Sequence, residues 1–122
     1  MIKTYVGKRD KKGNACVFVI EADGDSHALA LRTDLHNHSP TGFEWGYGGS
    51  GPAQLALAIL ADAEGEAVAK EYHQQFKQLV IARLPRNGEW RLTLSQVLAL
   101  HASLLANKVT DALRRLKDKR SP

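Results

Sequence analysis

The sequence predicts an α+β fold: a small antiparallel three-stranded meander covered by about three helices. Three observations predict it. Within residues 1–31, runs with strand character alternate with turn residues. Residues 32–51 show no period and hold five of the ten glycines, Gly42, Gly46, Gly48, Gly49 and Gly51. Residues 52–118 repeat apolar side chains at helical spacing. A chain of 122 residues fits one domain. It is read as an N-terminal β-meander (1–31), a glycine- and aromatic-rich loop (32–51) and a helical part (52–118).

Lys3 to Val6 is the first strand, with Gly7 expected to end it. The basic run Lys8–Lys12 with Gly13-Asn14 reads as a hairpin turn. Ala15 to Glu21 is β-branched and nearly continuous in apolarity, the pattern of a central strand. After the turn at Ala22–Asp25, His27 to Leu31 alternates and is expected to pair antiparallel with the second strand. A sheet with one apolar face needs a cover, and the rest of the chain supplies helices.

Pro52 opens the first helix, with Ser50 or Gly51 as its cap. Leu55, Ile59 and Leu60 form its stripe, and Ala53, Ala56, Ala58 and Ala61 allow close approach. A second helix runs from about Glu66 to Arg83, with Val68, Tyr72, Phe76, Leu79 and Val80 at helical spacing. Pro85, Asn87 and Gly88 end it. The third begins at a capping box, Thr93 with Gln96, stapled by Leu92 and Val97. Leu94, Leu98, His101, Leu105, Val109 (or Lys108), Ala112 and Leu116 trace its expected buried stripe.

Composition narrows the class. The 43% hydrophobic and 25% charged fractions are those of a folded globular domain, not of a disordered or collagen-like chain. No apolar run approaches the roughly 18 residues that span a bilayer, and the start lacks the apolar stretch of a signal peptide. One cysteine, Cys16, makes no internal disulfide or zinc knuckle. The expected compartment is the cytoplasm, without a membrane partner.

Charge is uneven. Residues 1–21 carry a net +3 and residues 114–120 a net +4, whereas residues 22–113 carry a net −3. Both ends are basic around an acidic body. Lys8, Arg9, Lys11, Lys12, Arg114, Arg115 and Lys117 are therefore the candidate contacts for nucleic acid or another anionic partner. Part of the second cluster also suits a helix C-terminus.

The segment from His38 to Ala58 is too specific in composition to be filler: His-Ser-Pro-Thr-Gly-Phe-Glu-Trp-Gly-Tyr-Gly-Gly-Ser-Gly-Pro-Ala-Gln-Leu-Ala-Leu-Ala. It resembles the block shared by a family of uncharacterised small proteins encoded by phages, plasmids and integrated elements of bacteria. The resemblance extends more loosely through Tyr5–Arg9, Tyr72, Phe76 and Lys77, and the Ala82–Pro85 segment. It implies a mobile-element setting, where small proteins often block host defence such as CRISPR systems or regulate the element's genes. It implies no established activity.

The residues allow several chemistries. Gly48, Gly49, Ser50 and Gly51 lead into a helix, a place where backbone N–H groups cradle an anion such as a nucleotide phosphate. The Walker ending Gly-Lys-Ser/Thr is absent, and Pro52 removes one donor. Phe43, Trp45 and Tyr47 alternate, so in an extended segment they face one way. Exposed, they form a stacking or docking platform; buried, they close a small core. His36 and His38, with Asp34 or Glu44, are too few for a recognisable metal set, and no metal or cofactor is expected. His38, Glu44 and Ser50 make a triad only on paper, and Cys16 lies in an apolar strand, so no catalytic residue is assigned. His38, Ser39, Thr41, Phe43, Glu44, Trp45, Tyr47 and Gly48–Gly51 are the candidate binding loop.

The expected function is a non-enzymatic interaction protein that binds a protein or protein–nucleic acid complex of the bacterial host. The alternatives are a nucleic-acid-binding accessory protein acting through the basic ends and a nucleotide or small-anion binder at the glycine-rich loop.

Overall fold

The computed structural model describes residues 2–120, with side chains for residues 2–117. Its sheet begins with β1 (Thr4–Arg9) and β2 (Ala15–Ile20), paired antiparallel from Thr4↔Ile20 to Arg9↔Ala15. The turn between them closes on Asp10, whose carboxylate accepts the backbone N–H groups of Lys12 and Asn14 at 2.9 Å each. Gly13 adopts the φ of +83° that this tight turn needs. β3 (Ser26–Ala28) is shorter than the sequence suggests and pairs with β2.

The sheet has four strands, not the expected three. Residues 90–93 form β4 (Trp90–Thr93), antiparallel to β1, and the order is β3-β2-β1-β4. Four residues give too short a window for periodicity, and their only strand partner lies over 80 positions away. The added strand also explains Gly7. It lies inside β1, opposite Trp90, whose ring covers it.

Helix α1 (Ser50–Glu64) runs through the middle of the molecule. Every residue from Gly51 to Ala61 is buried, as expected of a helix that is apolar all round. Its Leu, Ile and Ala side chains share one core with Tyr5, Val17, Val19, Trp90 and Leu92 from the sheet and with Phe43 and Trp45 from the long loop. Pro52 sits in the first turn as expected, but the cap is Gly49, without a side-chain cap bond.

α2 (Glu66–Leu79) packs on α1 through Ala69, Tyr72, His73 and Phe76, then tightens into a single 3-10 turn, Ile81–Arg83. α3 (Leu94–Arg120) starts at the expected capping box: Gln96 N–H donates to Thr93 Oγ1 at 3.1 Å, and Thr93 N–H donates to Gln96 Oε1 at 2.9 Å. Its expected stripe needs correction. Val97 and His101 are buried and Leu100 and Leu104 half-buried, whereas Leu98, Leu105, Val109 and Leu116 face solvent. Periodicity finds an apolar stripe but does not say which of two stripes meets the body. Halfway along α3, Lys108 pairs with Glu71 of α2 at 2.9 Å. Twenty-seven residues make a helix of about 40 Å, and its distal half extends past that contact.

Candidate functional site

The long loop between β3 and α1 folds back on α1, and a single buried side chain organises it. Gln54 is the one polar residue between Gly51 and Ala61 and has no exposed surface. Its Oε1 accepts the N–H groups of His38 and Ser39, at 2.8 and 3.0 Å, and its Nε2 donates to Leu31 O at 2.6 Å. A buried amide must be paired, and here the pairing ties three backbone groups of the loop to the central helix. Ser39 Oγ then closes the turn on Gly42 O at 2.8 Å.

The aromatic segment does not stay extended. Gly46 turns the chain at φ +85° and packs against Arg86 Cα, where a side chain has no room. Phe43 and Trp45 therefore point into the core, while Tyr47 faces outward under the Arg86 guanidinium, 4.8 Å from its ring. The Trp45 indole N–H donates to Pro85 O at 3.1 Å. Two of the three candidate platform rings thus close the core.

Arg9 locks the same segment from the sheet side. Its guanidinium grips Glu44 through both carboxylate oxygens (2.8 and 3.3 Å), donates to Arg86 O and Gly13 O, and stacks on Trp45 at 4.5 Å. Glu44 also packs its Cβ against Gly51, where a methyl would come within 2.7 Å. A carboxylate-bearing side chain already lies at α1's first turn, beside the glycines proposed to cradle an anion. Ser39, Thr41, Phe43 and Glu44 line a cleft of about 260 Å³ with Gly13–Ala15.

His38 makes a contact that the sequence did not suggest. Its Nε2 lies 2.9 Å from Nε2 of His73 on α2. The His73 Nδ1–H donates to Ala69 O at 2.8 Å. With His73 neutral, its Nε2 is then the acceptor and His38 supplies the shared proton. Burial first, then the charges of His36, His73 and Lys77, lowers the His38 pKa from its ordinary value. The other paired groups are elsewhere. Asp34 is held by Arg32 at 3.1 Å and Glu44 by Arg9, so the candidate metal set is not assembled and the paper triad is not hydrogen-bonded. Among the described residues, no group of three or more His, Cys, Asp or Glu side chains is placed to hold a metal. Nor is any described helix long and apolar enough to cross a membrane.

The two basic clusters occupy different places. Lys11 and Lys12 are exposed in the β1–β2 turn, and Lys8 lies 5.4 Å over the Phe18 ring on the outer face of the sheet. Arg114, Arg115 and Lys117 lie on α3, past its contact with α2. Gln54 was legible in principle as a lone polar residue in an apolar run. His73 and Arg86 carried no signal, since their roles depend on contacts across the fold.

A family model covers residues 5–103. The chain belongs to DUF6166, a family of unknown function. The matched region takes in nearly all of the sheet, α1, α2 and the first ten residues of α3. No curated protein and no solved structure matches the chain.

Proposed function

We propose that this protein is a non-enzymatic interaction protein of a mobile genetic element, and that it acts by binding a macromolecule of the bacterial host, a defence factor in the manner of an anti-CRISPR. One observation carries the binding part. The signature loop is engaged in the protein's own core, while α3 from its middle onward presents Leu105 (40% exposed), Val109 (58%), Leu113 (61%) and Leu116 (54%) to solvent. Large apolar side chains in contiguous exposure mark a docking surface, and here Arg114, Arg115 and Lys117 border them. The mobile-element part is supported by the resemblance of residues 38–58.

The test is affinity capture from a bacterial host lysate with the full chain and with a Leu105→Glu/Val109→Glu variant. The reading expects a specific protein held by the first and lost by the second. Capture of the same set by both, or of nothing by either, refutes it.

A second reading is favoured by the exposed arginines: nucleic acid bound along α3. Affinity would then fall steeply with salt, since each phosphate contact releases counterions. A flat mobility-shift titration at low salt ends that reading.

A further inference from the structure

We infer that two copies of this chain pair antiparallel through α3, along Leu98, Ala102, Leu105, Val109, Ala112 and Leu116. The inference rests on α3 being a docking surface and names its occupant. The six residues are spaced four, three, four, three and four apart, the seam of a coiled coil. All six are exposed. The seam lies about 100° round the helix from the face that packs on the body through Val97 and Leu104. The body therefore leaves it open, and most of it lies beyond the matched family region.

A twofold interface requires one surface to complement itself. Reversed about residue 107, the seam meets its own sizes: Leu98 faces Leu116, Ala102 faces Ala112, and Leu105 faces Val109. Charge selects the direction. In a parallel pair the two segments 114–120, each with a net +4, lie side by side. Reversal sets residue 117 level with residue 97 of the other copy, so the clusters stand about 30 Å apart along the axis, roughly four Debye lengths at physiological salt. Near the midpoint, where the two Lys108 side chains approach, each is already paired with Glu71 of its own chain at 2.9 Å.

The strip from residue 98 to 116 measures roughly 27 Å by 10 Å. That is less than the area each partner contributes to a standard stable interface, about 800 Å². The pair is therefore a concentration-dependent equilibrium, not a permanent dimer.

Light scattering and sedimentation of the full chain, from low micromolar to millimolar concentration, should show mass rising from monomer to dimer. Leu105→Glu/Val109→Glu should stay monomeric with unchanged circular dichroism, since both positions are exposed. On a Cys16→Ser background, Ala102→Cys and Ala112→Cys proteins should form a disulfide with each other when mixed and not alone. A monomer at every concentration, a dimer indifferent to the glutamates, or cross-linking of Ala102→Cys with itself overturns the inference. A monomeric result leaves the interaction reading to its own capture experiment, so the two fail separately.

Discussion

The Trp90 indole covers Gly7, its partner on the neighbouring strand: a methyl group on Gly7 would sit 2.1 Å from Trp90 Cε2. An aromatic ring laid across a glycine seals the sheet where β1 has no side chain of its own. Gly7→Ala forces the ring off the strand inside a packed core. The expected loss is about 1–3 kcal/mol of unfolding free energy, read as a lower urea midpoint at unchanged slope. An unaltered midpoint would show that the ring moves aside freely.

Gln54 predicts a different kind of loss. Gln54→Leu keeps the volume near that of the native side chain and removes three hydrogen bonds, leaving Leu31 O, His38 N and Ser39 N without their partner. The three groups are part-buried, which puts each at the low end of the ~1–3 kcal/mol of an unpaired group, so a total of about 3 kcal/mol is expected. Hydrogen exchange at the His38 and Ser39 amides should speed up before global unfolding. Unchanged protection there would contradict the role assigned to Gln54.

Acid should destabilise the fold at His38, whose protonation places a charge in a part-buried site beside other positive groups. The folded pKa of His38 is lowered by burial first and by His36, His73 and Lys77 after it. The unfolded chain then takes up the proton more readily. Its contribution is intact above the unfolded value of about 6.5 and is lost as pH falls from there through the folded pKa. His27, raised chiefly by its hydrogen bond to Glu21, acts in the opposite sense. Comparison with His38→Asn therefore isolates the effect. Between pH 7.5 and 5.5 the native chain should lose more thermal stability than the variant, and equal losses would refute the part-buried, positively flanked placement of His38.

Arg9 should not tolerate lysine. Lysine keeps the charge but has no planar fork for Glu44, no stacking plane for Trp45 and no second donor set for Arg86 O and Gly13 O. Arg9→Lys is expected to cost about 1–3 kcal/mol. A urea midpoint equal to that of the native chain would mean that charge alone holds the loop.

The regular elements with long, clear periods were legible in advance. Thr93 and Gln96 announce α3 because a capping box is local chemistry, complete within four residues. The unbroken apolar run after Pro52 announces a buried helix for the same reason. β4 was not legible, because four residues become a strand only against β1. Residues 32–49 form a loop, as their missing period implies, but whether Trp45 and Tyr47 face the same way depends on the turn at Gly46, which Arg86 packs against.

Local pattern therefore determined that this chain is α+β, where most helices begin and which segment is unusual, because backbone preference and side-chain period act over a few residues. Tertiary structure decided which surfaces are left over. Arg9 looks like a free cation in the sequence, and it becomes a clamp because Glu44, Trp45 and Arg86 converge on it from 35 to 77 positions away. Leu105 and Val109 look like core, and they face solvent because α2 meets α3 about a quarter-turn round the helix from them. Burial depends on what is opposite, and in this protein the opposite residues come from distant parts of the chain.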